Sequence, residues 1–164
     1  MDLKKKKVLF IDLDDTLIKT SSGETFAQDI TDFRVRKDVL DKIRELNICR
    51  VAIVTNQGGI PDFVSEEDFR AKLKAIEFFV FAYCKIAVSS HFCASVDDND
   101  PRRKPNTGML EEVWQSIPSS LRKRDLMLMV GDASGGDAWS DTDLRTAENF
   151  SIDYMDINDF VKYQ

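Results

Sequence analysis

The chain is 164 residues long, 43% hydrophobic and 32% charged, with four prolines and a formal net charge of −6. This is the make-up of a globular domain with one core, and it excludes a fibrous or disordered polypeptide. The acidic balance gives no general footprint for a nucleic-acid backbone, although residues 4–7 and 102–104 form local positive clusters.

The opening "MDLKKKK" is followed by four apolar residues before acid intervenes, so neither a transmembrane span nor a signal peptide is expected, and the expected location is the cytoplasm. Those apolar residues, 8–11, read as a first strand running into "DLDDT". Val39, Leu40, Ile43 and Leu46 then share one helical face, and a second apolar run follows at 51–54. "SEED" at 65–68 offers a cap residue and then acids that oppose the positive end of a helix dipole. Phe69, Leu73, Ile76, Val80 and Tyr83 continue one face, which predicts a helix over 65–83. A third run lies at 86–88, and a helix starting near Thr107 turns Leu110, Val113, Trp114 and Ile117 inward. A fourth run at 126–130, a short capped helix in "SDTDLRTAENF", a last strand at 151–155 and a closing helical turn with Ile157, Phe160 and Val161 complete the chain.

Strand and helix alternate, and the apolar runs suit strands buried on both faces. Parallel neighbours need crossover connections, which helices supply. The expected fold is therefore α/β, a Rossmann-like doubly wound parallel sheet with helices on both faces, in a single domain over 1–164. Cys49, Cys84 and Cys93 are odd in number and widely spaced, which points to reduced thiols. His91 and Cys93 form an H-x-C pair, but no second pair follows nearby to complete the four ligands of structural zinc.

In an open parallel sheet, ligands bind beyond the carboxyl ends of the strands. Asp12, Asp14 and Thr16 follow the first run, Thr55, Asn56 and Gln57 the second, and Gly131, Asp132 and Ala133 the fourth, so these groups share one rim with Lys104. Carboxylates aimed at one point call for a hard cation, and Mg2+ favours oxygen ligands while keeping waters that a phosphate can replace. Asp12 and Asp132 are the expected direct ligands. Asp12, first out of the strand, is also the candidate nucleophile, because a carboxylate can attack phosphorus to give an aspartyl phosphate. Asp14, two residues on, is the candidate proton donor to the leaving alcohol and then base for water.

"DLDDT", "VTNQGG" with Thr55, "RRKPNTGML" with Lys104 and "VGDASGG" with Asp132 resemble, in order and spacing, the four motifs of the haloacid dehalogenase superfamily of phosphatases. The resemblance implies that Asp12 is nucleophile and Mg2+ ligand, and that Asp14 supplies acid/base chemistry and a backbone carbonyl to the metal. It further implies that Thr55 and Asn56 bind the phosphoryl oxygens, that Lys104 offsets charge between Asp12 and phosphate, and that Asp132 holds the metal. Members acting on carbon–halogen bonds need no proton donor at the second position, so Asp14 favours phosphoester hydrolysis. A further acid usually follows the fourth motif, and here Asp137, Asp141 and Asp143 are available; Asp143 is preferred as an assistant to the metal, since Asp137 lies in a Gly-rich loop and Asp141 suits a helix cap.

"TLIKTSSGETFAQDITDFR" and the "RKP-x-TGM" pattern resemble the 3'-phosphatase domain of polynucleotide kinase/phosphatase proteins, which implies a phosphomonoester at a nucleic-acid 3' end as substrate. The alternative is a small-molecule phosphatase related to histidinol phosphate or sugar phosphate phosphatases; the non-enzyme alternative is a domain that binds a phosphorylated ligand. Superfamily cap domains are inserted after the first motif or between the second and third. Residues 17–35 suffice for a flap and 91–103 for a loop near the site, so no separate cap domain is expected. An open site leaves Lys19, Arg34, Arg102 and Arg103 as candidate contacts to a phosphate backbone.

Overall fold

The computed structural model describes residues 1–164 apart from Phe26, Asp137 and Trp139. Five parallel strands form one sheet in the order β5-β4-β1-β6-β7: β1 (Val8–Ile11), β4 (Arg50–Asn56), β5 (Ala87–Cys93), β6 (Met127–Gly131) and β7 (Asp153–Asp156). The helices are α1 (Lys37–Glu45), α2 (Glu66–Cys84), α3 (Gly108–Ser116), α4 (Thr142–Phe150) and α5 (Ile157–Lys162). Beside the sheet, β2 (Ile18–Lys19) and β3 (Arg34–Val35) pair antiparallel in a small ribbon.

The chain winds outward from β1 in both directions, through β4 to β5 and then back to β6 and β7. β1 is therefore the switch point, and the crevice beyond its carboxyl end is where this topology places a ligand. The apolar run explains the position of β1. All four of its residues are buried, and alternation sends Leu9 and Ile11 into a core with residues of α1, α2 and α5, while Val8 and Phe10 pack with residues of α3 and α4. Each such side chain contributes about 1.5–3 kcal/mol by leaving water, so the strand that carries the site is also the centre of both cores.

Local signals set the helix boundaries. The Ser65 hydroxyl accepts from the Asp68 N–H at 3.1 Å, with Glu66, Glu67 and Asp68 in the first turn of α2, and Lys85 ends that helix in the left-handed region at φ 57°. The third strand departs from the expectation, running on to Cys93 and taking His91 and Cys93 out of the loop assigned to them. Among the described residues it is an edge strand pairing with β4 alone, and Ser89, Ser90 and His91 are half-buried, so polar residues are tolerated there. Among the described residues no helix is long and apolar enough to cross a membrane.

Candidate active site

Each strand that ends at the crevice delivers its polar residues there. The Asp12 N–H donates to Val130 O at 3.0 Å, so the first residue beyond β1 is still tied to β6. The chain then turns through Asp15 in the left-handed region (φ 55°), which buries Thr16, whose hydroxyl donates to Asp132 Oδ1 at 3.3 Å. Thr55 is buried at the end of β4. Lys104 enters from the loop before α3, where the Gly108 N–H donates to Pro101 O at 2.8 Å. A Cβ on Gly108 would sit 2.4 Å from that same oxygen, which is why this loop closes only with glycine.

Lys104 is the hub. It is 4% exposed, and its ammonium donates to Asp12 Oδ1 and to Asp143 Oδ1, both at 2.6 Å. Asp143 is 1% exposed in the first turn of α4, where the helix dipole favours a carboxylate, and its Oδ2 accepts the Ala133 N–H at 3.2 Å. A Cβ on residue 131 would lie 2.1 Å from Asp143 Oδ2, so Gly131 makes the room for that carboxylate. Asp141 instead stands at the N-cap of α4, half-exposed and on the surface side. Asp137 lies outside the described residues.

The electrostatics are unbalanced. Burial pushes the Asp12 carboxyl up to about 8 against the opposing pull of Lys104, and the neighbouring Asp143 and Asp14 add to the rise. Burial and the charge of Asp143 also raise Asp132. Burial alone would lower Lys104, but the charges of Asp12 and Asp143 outweigh it and hold the ammonium above its ordinary range. One cation thus faces three carboxylates, and oxygens of Asp12, Asp132 and Asp143 lie within 4.8 Å of one another. A set of hard oxygen donors with surplus negative charge fits a divalent cation such as Mg2+. His91 and Cys93 join no such group among the described residues: His91 Nδ1 meets Glu112 Oε2 at 2.9 Å, and Cys93 is core.

The remaining candidates divide. Asp14 lies on the rim outside that triad, and its Oδ2 accepts from Gln57 Nε2 at 2.7 Å. The same Gln57 amide donates to Thr55 Oγ1 at 2.9 Å, a bridging role that its sequence position alone did not suggest. Asn56 differs from expectation. Its Nδ2 donates to Lys104 O and its Oδ1 accepts the Lys104 N–H, both at 2.9 Å, so the side chain clamps the lysine loop to β4. Arg102 is held by Glu112 at 2.6 Å and Arg103 by Asp98 at 3.1 Å and Ser95 O at 2.9 Å, which ties both to the protein. Ser140 and Thr142, which no motif marks, line a cavity of about 240 Å3 together with Asp12, Thr55, Lys104 and Asp132.

Residues 7–160 match the family described as polynucleotide kinase 3 phosphatase. The chain is 36% identical to the bifunctional polynucleotide phosphatase/kinase of Schizosaccharomyces pombe over 165 residues, 92% of this chain and 36% of that protein. It is 28% identical to the histidine biosynthesis bifunctional protein HisB of Campylobacter jejuni over 134 residues, 77% of this chain and 36% of that one. The chain thus spans about a third of the length of these curated relatives. Among solved structures it resembles D,D-heptose 1,7-bisphosphate phosphatase from B. bronchiseptica complexed with magnesium and phosphate, with a TM-score of 0.68, 18% identity and coverage of 90% of this chain and 78% of that one. A HAD-like phosphatase from Mesorhizobium loti matches with a TM-score of 0.63 and 22% identity over 90% of this chain and 69% of that one.

Proposed function

The chain belongs to the polynucleotide kinase 3 phosphatase family, and from that premise we propose that it is a Mg2+-dependent phosphomonoester hydrolase acting on the 3'-phosphate of a polynucleotide through an aspartyl phosphate on Asp12. The observation that carries the reading is the buried Lys104 joined to both Asp12 and Asp143 at 2.6 Å, with Asp132 completing an oxygen triad at the switch point. Such a cluster is costly to bury, and it gains from a dianionic phosphoryl group only if cations are concentrated there.

Asp12, Asp132 and Asp143 would hold Mg2+, with the Asp14 backbone carbonyl as a further donor. The bound ion would neutralise phosphoryl oxygens. Lys104 occupies Asp12 Oδ1, which leaves Oδ2 to attack phosphorus. As the new O–P bond forms, the bond from phosphorus to the leaving oxygen breaks, and Asp14 gives that oxygen its proton. Asp14, now a carboxylate held by Gln57, takes a proton from water as the water oxygen attacks phosphorus, which releases inorganic phosphate and restores Asp12. Thr55 meets the phosphoryl oxygens with its hydroxyl, and Asn56 acts through its clamp on Lys104. In this reading the domain works without a separate cap, with Ile18 and Lys19 of the ribbon lining the cavity next to Asp14, and free Cys49, Cys84 and Cys93 suit a reducing cytoplasm.

The match to HisB favours a second reading, a small phosphate ester such as histidinol phosphate as substrate. Turnover of a 3'-phosphorylated oligonucleotide, histidinol phosphate and a sugar phosphate, each with Mg2+ and with chelator, decides between them. The proposal expects the oligonucleotide to lead and to depend on metal, and Asp12→Asn to lower its turnover by about 10⁴-fold or more. A preference for histidinol phosphate would support the second reading, and near-normal turnover in a folded Asp12→Asn protein would remove Asp12 as nucleophile.

A further inference from the structure

Asp14 borders two cavities. One is the phosphoryl pocket; the other, about 400 Å3, lies between the ribbon, the turn after β4 and the start of α2, and it shares Asp14 and Asp15 with the first. The acid that protonates the leaving oxygen must face the leaving group, so the second cavity is where the alcohol half of the ester sits. This argument rests on the phosphatase reading above.

The walls of that cavity are specific in their chemistry. Phe63 is 92% exposed at its edge, an apolar ring that contributes nothing to the core. Single exposed apolar side chains are common, and Phe78, Phe79 and Phe81 are exposed too; what sets Phe63 apart is its place in the lining of a cavity that also reaches Asp14, where a flat apolar partner would cover it. Lys19 and Lys72 also line it, and among the described residues neither is paired with a carboxylate. Lys72 instead lies 5.4 Å from the Phe33 ring centroid. This sets them apart from Arg102 and Arg103, which are already tied to Glu112 and Asp98. Four carboxylates, of Asp14, Asp15, Asp29 and Asp32, face the same space. Those of Asp29 and Asp32 are held charged by hydrogen bonds within the ribbon loop, from Thr31 and from Ser22 and Gln28. With the acids outnumbering the lysines, a long run of phosphates is repelled, while one aromatic base and one phosphodiester are matched.

We infer that this cavity receives a single 3'-terminal nucleoside, its base against Phe63 and the one phosphodiester on its 5' side at Lys19 and Lys72, so that Phe63 sets specificity for a base-bearing end and strand length beyond two nucleotides does not matter. The test is a set of efficiencies, kcat/KM, for an abasic 3'-phosphate, a nucleoside 3'-phosphate, and a dinucleotide and a 12-mer each bearing a 3'-phosphate. The base raises efficiency about tenfold over the abasic substrate through stacking. Phe63→Ala erases that ratio by raising KM, and Phe63→Trp restores it. Because the ring is exposed, neither change disturbs the core. The dinucleotide exceeds the mononucleotide, and Lys72→Ala removes that gain. The 12-mer matches the dinucleotide within about twofold, and efficiency falls only about threefold between 50 and 200 mM salt, as one phosphate contact requires.

A base-to-abasic ratio near one, a ratio unchanged in Phe63→Ala, or efficiency that keeps climbing with length overturns the inference while 3'-phosphatase activity stands. Absence of turnover on every 3'-phosphate overturns both.

Discussion

The pocket proposed to hold the phosphoryl group and the cavity beside it share Asp14 but are built on opposite terms. In the first, Lys104, Asp12, Thr55 and Asp143 are all buried; Lys104 ties Asp12 and Asp143 together across three elements, and Gln57 holds Thr55 from the turn after β4. In the second, Phe63 and Lys19 are exposed, on a turn and on a two-residue strand. A buried charge tolerates one geometry, since removing its partner leaves an uncompensated ion, whereas exposed loop side chains can be exchanged with little effect on folding. The chemistry of this molecule is thus welded to its stability, and its selectivity is not.

Substitutions can break that contrast. Lys104→Ala carries the largest combined effect, because it strips from two buried carboxylates the ammonium that pairs with both: turnover should fall about 10²–10³-fold and stability at pH 8 by about 3 kcal/mol, read by steady-state kinetics and denaturant titration. A full loss of activity with unchanged stability would separate what the geometry joins. Asn56→Ala releases the two 2.9 Å bonds to the Lys104 backbone and should cost about tenfold in kcat with little change in KM, since it loosens the lysine loop without touching substrate. An equal rise in KM would place Asn56 on the phosphate instead.

The pH dependence sharpens the same contrast. Burial raises the folded-state pKa of Asp12 to about 8 and raises Asp132 as well. The folded chain therefore holds more protons than the unfolded one between the ordinary carboxylate range and about 8, and the stability they confer is lost as pH rises through that window. Mg2+ held by these carboxylates would compete with those protons. At pH 8 and tenfold above its dissociation constant it should add about 1.4 kcal/mol, or about 3–5 °C in Tm for a chain of this size, and clearly less at pH 5. Equal shifts at both pH values would dissociate the ion from these carboxylates. The smallest effect belongs to Arg102→Ala, whose guanidinium already serves Glu112: efficiency on a 3'-phosphorylated oligonucleotide should change less than about twofold, as expected for an exposed pair.

How far the molecule could be read from its residues follows the same division. The runs at 8–11, 51–54 and 126–130 announced β1, β4 and β6 because a strand buried on both faces must be apolar throughout. The far half of β5 was hidden, since an edge strand can carry Ser89, Ser90 and His91 without loss. Asp12, Thr55 and Asp132 were legible from their places after those runs and Lys104 from its place before the helix that begins near Thr107, and the four do line one pocket. The clamp by Asn56 was not, because its partners are the backbone atoms of a residue 48 positions away. Neither was the Gln57 bridge, nor the pairing that occupies Arg102 and Arg103, because a loop amide or guanidinium has no pattern that reveals its partner before the chain is folded.

The covalent role proposed for Asp12 is the step on which the whole phosphatase mechanism depends. Borohydride reduces an aspartyl phosphate to homoserine, so the protein should be quenched with it during turnover of a 3'-phosphorylated oligonucleotide and its peptides mapped by mass spectrometry. Homoserine at position 12, formed only when substrate and Mg2+ are both present, is the predicted result. Rapid turnover with aspartate intact at position 12, or reduction at another carboxylate such as Asp14 or Asp132, would contradict it.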